Sequence, residues 1–251
     1  ETMKKMACII SITTVFIISL LMNSVVFGAS GKVLQIETAT NAYSHIMRPI
    51  DISGKEVVLT GNLGNDHGYS WGPGLTLYWD AANWVKVQLW YPDLVKAFAC
   101  IDGKLGGDFP KDGYNFSGKW VEGKIILDTD TGKGSVLVKW ENSDWLEFGT
   151  FESPTYAKMP ETVIVGRGYG TGTNPYDAPY LRNSIPPPRS LGELGGSYYD
   201  DIILEVDGKV IFTEDFEDMT KVKANWELSN DPIIPIEVFT LVDKEKWEKA
   251  P

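Results

Sequence analysis

Cysteine is scarce in this 251-residue chain, which contains only Cys8 and Cys100. Cys8 lies in an amino-terminal segment that we expect to be removed, so the mature chain keeps one cysteine and cannot form an internal disulfide. Its stability must therefore come from a hydrophobic core, which a chain of this length is able to bury. We interpret Cys100 as a buried apolar side chain of that core rather than as a catalytic thiol.

Basic residues are also few, since 23 Lys and Arg stand against 34 Asp and Glu and the formal net charge is −11. Such a surface repels phosphate backbones and anionic lipids, which argues against nucleic acid and membrane surfaces as partners. The two histidines, His45 and His67, lack companions at metal-ligand spacing, so zinc or iron is not predicted. A neutral polysaccharide or a bound cation remains compatible with this charge.

Residues 1–29 have the layout of a secretory signal peptide. Lys4 and Lys5 form a positive region, residues 9–21 are predominantly apolar, and residues 27–30 (FGAS) are suited to cleavage. The uninterrupted apolar part is shorter than the roughly 20 residues of a membrane span, and no basic cluster follows it. We therefore predict a secreted, extracellular protein without stable membrane insertion after cleavage.

Helical periodicity is nearly absent from the rest of the chain. Short alternating runs separated by Gly, Asn, Asp and Pro predict an all-β fold, a two-sheet antiparallel β-sandwich over residues 30–216. Residues 217–251 are predicted to be a carboxyl-terminal extension or the start of a further domain, and the acidic segment near 216 followed by Trp226 fits either. The predicted strands are 33–38, 56–61, 74–79, 84–91, 96–101, 121–128, 134–140, 145–149, 161–166, 200–206 and 209–213.

Three connections have distinctive compositions. Residues 128–134 (DTDTGKG) and the Asp207-Gly208 pair are typical of tight hairpin turns. The first also looks like a calcium loop, but it lacks the bidentate Glu that such a loop needs, so we predict a plain turn. Residues 168–197 are rich in Gly and Pro and predict a long loop, which is either the wall of a binding cleft or a variable surface insertion.

The strand predicted at residues 84–91 carries different chemistry on its two faces. Alternation places Val85, Val87 and Leu89 on one face, which belongs in a core. The opposite face combines two indoles with an ammonium and an amide: Trp84, Lys86, Gln88 and Trp90. An indole covers the apolar C–H face of a pyranose while polar groups bind its hydroxyls, so this face predicts carbohydrate binding. Packing of both indoles beneath a neighbouring loop or sheet is the alternative.

A polar and aromatic loop precedes this hairpin. Asp66, Tyr69 and Trp71 lie in it, within eight residues of the strand predicted at 74–79. Their side chains are expected to form the edges of the same carbohydrate site.

Three segments resemble the concanavalin A-like lectin/glucanase sandwiches of secreted bacterial proteins. They are residues 71–79 (WGPGLTLYW), 84–87 (WVKV) and 199–204 (YDDIIL), and the resemblance covers roughly residues 33–216. It implies a jelly roll of two antiparallel sheets, often with a concave, ligand-bearing face and often with sugar binding.

The resemblance also implies a structural calcium ion, because related modules frequently hold one with the late acidic strand and acids near a terminus. Asp200 and Asp201 match that strand, and carboxylate oxygens are ligands that calcium prefers. Adjacent residues of a strand face opposite ways, so one of the two at most can point at a given site. The alternative is an aspartate that caps a turn.

The glucanase pattern of the resemblance is missing. Retaining hydrolysis needs two carboxyls about 5–5.5 Å apart, and no Glu-x-Asp-x-Glu type strand occurs in the chain. The resemblance therefore favours a lectin-like module that recognises extracellular polysaccharide. A glycoside hydrolase or polysaccharide lyase with an unrecognised acidic site is one alternative, and a structural or interaction domain of a cell-surface protein is another.

Overall fold

The computed structural model describes residues 31–37, 44–65, 73–90, 94–106, 119–166, 196–229 and 239–244. These ranges contain one α-helix, α1 (Met219–Asn225), and a 3-10 turn at Pro154–Tyr156. They also contain strands β1 (Lys32–Glu37), β2 (His45–Pro49), β3 (Glu56–Asn65), β4 (Gly74–Asp80), β5 (Asn83–Trp90), β6 (Leu94–Ile101), β7 (Lys104–Gly106), β8 (Val121–Asp128), β9 (Lys133–Trp140), β10 (Leu146–Glu152), β11 (Thr162–Gly166), β12 (Gly196–Val206), β13 (Lys209–Glu214), β14 (Glu227–Ser229) and β15 (Phe239–Asp243).

The described strands form two antiparallel sheets. The eight-stranded sheet has the order β10-β9-β8-β3-β12-β1-β15, with β13 paired to β12. The seven-stranded sheet has the order β14-β2-β11-β4-β5-β6-β7. The predicted all-β, two-sheet antiparallel β-sandwich is confirmed. The predicted signal peptide at residues 1–29 lies outside the described residues, and no helix of the described part is long and apolar enough to span a bilayer.

The core lies between the sheets and is built from alternate residues of both. In β8, for example, Val121, Gly123, Ile125 and Leu127 are buried while the alternate residues 122, 124 and 126 are half-buried. Val85 and Val163 of the seven-stranded sheet belong to the same buried cluster. Burying one such side chain contributes roughly 1.5–3 kcal/mol, which explains how the chain dispenses with a disulfide.

Both predicted hairpin turns are confirmed. At the β12–β13 turn, Asp207 and Gly208 have φ values of 51° and 71°, the two positive angles of a turn that suits twisted antiparallel strands. At the β8–β9 turn, Oδ1 of Asp128 accepts hydrogen bonds from the backbone N–H groups of Asp130 (2.8 Å) and Thr131 (3.1 Å). These N–H groups lower the pKa of Asp128, and the carboxylate caps the turn.

The chain beyond residue 216 contributes to both sheets. Strand β14 pairs with β2 and strand β15 pairs with β1, whereas the sequence placed the end of the sandwich at residue 216. Helix α1 begins after Asp218, whose side chain caps its first turn by accepting from Thr220 N–H at 2.8 Å. The described part of the presumed extension is therefore continuous with the sandwich.

Trp226 anchors that carboxyl-terminal part. Its ring is 3% exposed, and its Nε1–H donates to Oε2 of the buried Glu214 at 2.9 Å. Trp226 also packs edge-on against Phe212 at 5.7 Å between ring centroids, and the guanidinium of Arg48 lies 4.1 Å from the centroid of that Phe212 ring. These contacts pack Trp226 against the sandwich, and whether a further domain follows stays a prediction.

Tyr156 connects the two sheets where the chain crosses from β10 to β11. The ring is fully buried and stacks on Trp79 of β4 with 4.4 Å between centroids. Its hydroxyl lies 2.6 Å from the carbonyl oxygen of Cys100 and 3.1 Å from that of Trp84, and it donates to the nearer. Burial raises the pKa of Tyr156, so the hydroxyl stays protonated as a donor.

Replacing Tyr156 with Phe should destabilise the protein by about 1 kcal/mol, because it removes one buried hydrogen bond but leaves the stacked ring. Tyr156→Ala should cost about 3–5 kcal/mol through the added cavity. Urea unfolding followed by tryptophan fluorescence measures both. Val210→Ala, at a side chain that is 56% exposed, is the surface control. Equal midpoints for wild type and both Tyr156 variants would contradict this role.

Candidate functional site

Strand β5 separates its side chains as the alternation predicted. Val85, Val87 and Leu89 are fully buried in the core cluster between the sheets. Trp84, Lys86 and Gln88 point to the opposite side, which we call the outer face of the seven-stranded sheet. The core side of this division is confirmed by the burial of Val85, Val87 and Leu89, while the role of the opposite face stays a prediction.

The register of the neighbouring strands completes the outer face. On β4, Thr76 lies opposite Lys86 and Tyr78 lies opposite Trp84. On β6, Phe98 lies opposite Lys86. Directly opposed residues of an antiparallel pair share one face and have Cβ atoms roughly 4.5–5.5 Å apart. Lys86 thus has the hydroxyl of Thr76 on one neighbouring strand, the ring of Phe98 on the other, and the indole of Trp84 along its own strand.

The outer face is enclosed in the folded chain. Trp84 is 3% exposed, Lys86 4% and Gln88 7%, while Thr76 is 3% and Phe98 4% exposed. An open platform, with indoles presented to solvent, is therefore not what these side chains form. Cys100, opposite Trp84 on β6, is fully buried and unbonded to sulfur, which confirms its interpretation as a buried side chain.

Two polar atoms of the outer face lack hydrogen-bond partners within the described part of the chain. They are Nε1 of Trp84 and Oγ1 of Thr76. Buried polar groups are almost always satisfied, and an unsatisfied one costs about 1–3 kcal/mol. Because Thr76 and Trp84 are diagonal neighbours across the β4–β5 pair, these two atoms mark one place on the face rather than two.

The ammonium of Lys86 lies beside the same place. Its Nζ is 5.1 Å from the centroid of the Trp84 ring, a cation–π distance. A lysine that is 4% exposed is unusual, since charged side chains are rarely buried to this extent. The outer face thus concentrates an indole N–H, a hydroxyl and an ammonium around the centre of the β4–β5 hairpin.

The other residues predicted for the carbohydrate site are not brought to this face by the described structure. Asp66, Tyr69 and Trp71 lie outside the described residues, and so does most of the predicted loop at 168–197. The backbone of Trp90 pairs with Leu94 at the end of β5, but its side chain lies outside the described part. Their membership of the site stays a prediction.

Asp200 and Asp201, the predicted calcium ligands, have other partners. Asp200 is 5% exposed, and its Oδ2 lies 2.7 Å from Nζ of Lys244. Asp201 Oδ2 accepts from Nδ2 of Asn62 at 3.0 Å. Burial raises the pKa of Asp200 to about 6, against the opposing effect of the Lys244 ammonium. Burial also raises the pKa of Asp201.

These contacts do not build a calcium site. Calcium takes about six to eight oxygen ligands, and the described residues contain no group of three or more acidic, His or Cys side chains placed to hold a metal. The Lys244 ammonium, 2.7 Å from Asp200, already supplies a positive charge beside this carboxylate. Calcium binding by this chain stays a prediction of the resemblance.

Thr76 and Phe98 are outer-face residues that sequence reasoning missed. The signal that could find them is the register of the β4–β5–β6 meander, but a bulge obscures it. The pairing shifts between Tyr78 and Asp80, so Trp79 is an extra residue. If the bulge is ignored and residues are paired outward from the β4–β5 turn, Leu77 rather than Thr76 is placed opposite Lys86. Core-facing and outer-facing residues are then paired with each other.

The geometry defines a two-sheet antiparallel β-sandwich with an enclosed polar and aromatic cluster on one outer face. No protein-family model matches the chain. No curated protein matches it either.

Solved structures that resemble the chain include the following three. Carbohydrate-binding module CBM66 from Bacillus subtilis matches with a TM-score of 0.40 and 11% identity over 65% of this chain and 83% of that one. The GH43 protein BlXynB from Bacillus licheniformis matches with 0.44 and 13% over 66% of this chain and 31% of that one. Domains LG4-5 of the mouse laminin alpha1 chain match with 0.44 and 10% over 87% and 49%.

The described fold thus corresponds to about a third of the GH43 chain. At these identities and TM-scores the likeness concerns the fold alone. Any function of the present chain has to be argued from its own residues.

The buried Asp200 should make stability depend on pH. Its pKa in the folded chain is about 6, against an ordinary 3.8, so the folded chain keeps a proton that the unfolded chain has lost. The free energy of unfolding therefore falls as pH rises from about 4 to about 6. Asp200→Asn should remove about 1–2 kcal/mol of that fall. Urea unfolding at pH values from 4 to 7 measures it, and parallel curves for wild type and variant would contradict it.

Proposed function

We propose that this protein is a secreted carbohydrate-binding module that recognises extracellular polysaccharide through the outer face of its seven-stranded sheet. Trp84, Lys86 and Gln88 of β5 are its central residues. Asp66, Tyr69, Trp71 and Trp90 extend the site in this proposal, and an exported location follows from the pattern of residues 1–29.

One observation carries the proposal. Trp84 Nε1 and Thr76 Oγ1 are buried without a hydrogen-bond partner in the described residues, although they stand on a face that is separate from the core. A fold gains nothing from polar groups left in this state, since each is destabilising. A ligand rich in hydroxyl and ring oxygens supplies the missing partners, and sugars are such ligands.

The chemistry of the neighbouring side chains agrees with a sugar. The indole of Trp84 and the ring of Phe98 offer apolar surface for the C–H face of a pyranose. The amide of Gln88, opposite Gly74, both donates and accepts hydrogen bonds. Ligand sites of this kind are mostly apolar, with a small number of placed polar groups.

A second candidate is a structural or interaction domain without a sugar role. It is favoured by the burial of Trp84, which is 3% exposed, because an indole that only packs is expected to be buried. The enzymatic alternative has less support. The described outer-face positions hold no carboxylate from Thr76 to Tyr78 on β4, from Trp84 to Gln88 on β5 and from Phe98 to Cys100 on β6. Glycoside hydrolysis, by contrast, uses a pair of carboxyls.

Trp84→Phe should weaken polysaccharide binding by about tenfold or more, because phenylalanine retains an aromatic ring but lacks the indole N–H. Retention of residues 30–251 on immobilised starch, cellulose, xylan and levan measures the effect. The double variant Trp84→Ala, Trp90→Ala should abolish retention on every polymer that binds wild type.

Trp145→Phe is the matched control. Trp145 also contacts a lysine, with Lys124 Nζ 3.9 Å from its ring centroid, but that lysine lies on β8 of the eight-stranded sheet. The retention of the Trp145→Phe variant should equal that of wild type. Thermal unfolding checks that all variants are folded. Retention of folded Trp84→Phe at the wild-type level on every bound polymer would reject the site and favour the structural candidate.

A further inference from the structure

The two outer-face atoms without partners differ in the hydrogen bonds that they form. Nε1–H of Trp84 donates only, whereas the hydroxyl of Thr76 donates one hydrogen bond and also accepts. Both atoms are buried and unpaired in the part of the chain that the structure describes. Lys86 and Gln88 beside them already have interactions of their own within the chain. What this place needs is therefore an acceptor for two hydrogens, that of the indole and that of the hydroxyl.

We propose that this acceptor is the carbonyl oxygen of an acetyl group on the bound sugar, so that the module selects acetylated carbohydrates. The inference rests on the proposed carbohydrate function and names its substrate class. A carbonyl oxygen has two lone pairs and carries no hydrogen. One such atom therefore accepts from both Trp84 and Thr76 and leaves no hydrogen unmatched. Acetyl esters and acetamido groups both present this oxygen.

A sugar hydroxyl matches this place less well, because it brings a hydrogen of its own. If its oxygen accepts from both Trp84 and Thr76, its own hydrogen finds no acceptor in the pair. If it donates to Thr76 instead, the hydrogen of the Thr76 hydroxyl is left over. A buried donor without an acceptor is rarer in proteins than an acceptor with a spare lone pair. The two side chains therefore favour a carbonyl over a hydroxyl by one hydrogen bond.

The position of the two side chains agrees with a small group. Thr76 and Trp84 are diagonal neighbours across the β4–β5 pair, a spacing that an aromatic side chain bridges. Each is only 3% exposed, so the indole offers no open surface on which a pyranose could lie flat. An acetyl group, by contrast, is a small projection from the edge of a sugar. Its methyl is apolar, as is the ring of Phe98 on the same face.

The test compares neutral ligands that differ only in acetylation. The β-linked hexamer of N-acetylglucosamine is compared with cellohexaose, which has a hydroxyl in place of each acetamido group. Acetylated xylan is compared with the same xylan after deacetylation in mild alkali. Calorimetry measures the affinity of residues 30–251 for all four. We expect at least one acetylated ligand to bind about tenfold or more tightly than its unacetylated counterpart, the ratio expected for one buried hydrogen bond. The pair that shows the difference distinguishes an acetamido group from an ester.

Thr76→Val keeps the shape of the side chain and removes the hydroxyl. It should lower the affinity for the acetylated ligand by about tenfold and bring it close to that of the unacetylated one. Thr76→Ser, which retains the hydroxyl, should keep most of the preference. Thr60→Val is the matched control, because Thr60 is a half-buried threonine on β3 of the eight-stranded sheet. That variant should keep the preference unchanged.

Two further measurements locate the contact. In proton–nitrogen NMR spectra, the acetylated ligand should shift the one indole signal that is missing from the Trp84→Phe variant. Without ligand, Thr76→Val should unfold at a temperature no lower than wild type, because it removes an unpaired hydroxyl rather than a hydrogen bond. A clear fall in that temperature would show that Thr76 has a partner within the chain and would overturn the proposal. The same unfolding curves show whether each variant is folded.

The outcomes separate the two proposals. Equal affinity for acetylated and unacetylated ligands, or a preference for the unacetylated ones, would overturn acetyl selection and leave carbohydrate binding intact. A preference that folded Thr76→Val retains would overturn the role of this place on the outer face. Absence of binding to all four ligands and to starch, cellulose and levan would overturn carbohydrate binding itself, and the inference with it.

Discussion

The sandwich depends on one buried contact between its sheets. The chain leaves the eight-stranded sheet at β10, turns through Pro154–Tyr156 and enters the seven-stranded sheet at β11. Tyr156 fixes that crossing by stacking on Trp79 and by donating to the carbonyl of Cys100 at 2.6 Å. Trp79 in turn donates from Nε1 to the carbonyl of Lys158 at 3.1 Å, so the crossing segment is held on both sides of its turn.

This contact has a consequence for the candidate site. Tyr156 reaches the backbone of β5 and β6 at Trp84 and Cys100, and those residues carry side chains of the outer face. Packing on the core side of these strands therefore holds the outer-face residues in place through the backbone that both sides share. Preorganisation of this kind lowers the entropy that a site loses when it binds.

Much of this fold could be predicted from local patterns, while the site could be predicted only in part. Alternation in residues 84–91 separated Val85 from Trp84, because period two is a property of any single strand. The bulge at Trp79 is different, since it depends on how two strands meet. Without it Thr76 could not be placed beside Lys86. Burial of that face was likewise hidden, because exposure depends on segments far away in sequence.

The carboxyl-terminal strands show the same limit. Strand β14 has three residues and β15 has five, too few for alternation to stand out, and each forms only through pairing with a strand near residue 32 or 45. Such long-range pairing is invisible to a local pattern. By contrast, the Asp-Gly turn at 207–208 was predictable, because its positive φ angles are a requirement on two adjacent residues alone.

The pairing of β1 with β15 brings the first and last described strands side by side. Lys32 lies opposite Asp243, and the backbone N–H of Lys244 donates to the carbonyl of Gly31 at 2.9 Å. A sandwich whose ends emerge together at one sheet edge tolerates circular permutation through a short linker. It can also be inserted into a surface loop of an unrelated host protein without stretching the host's backbone.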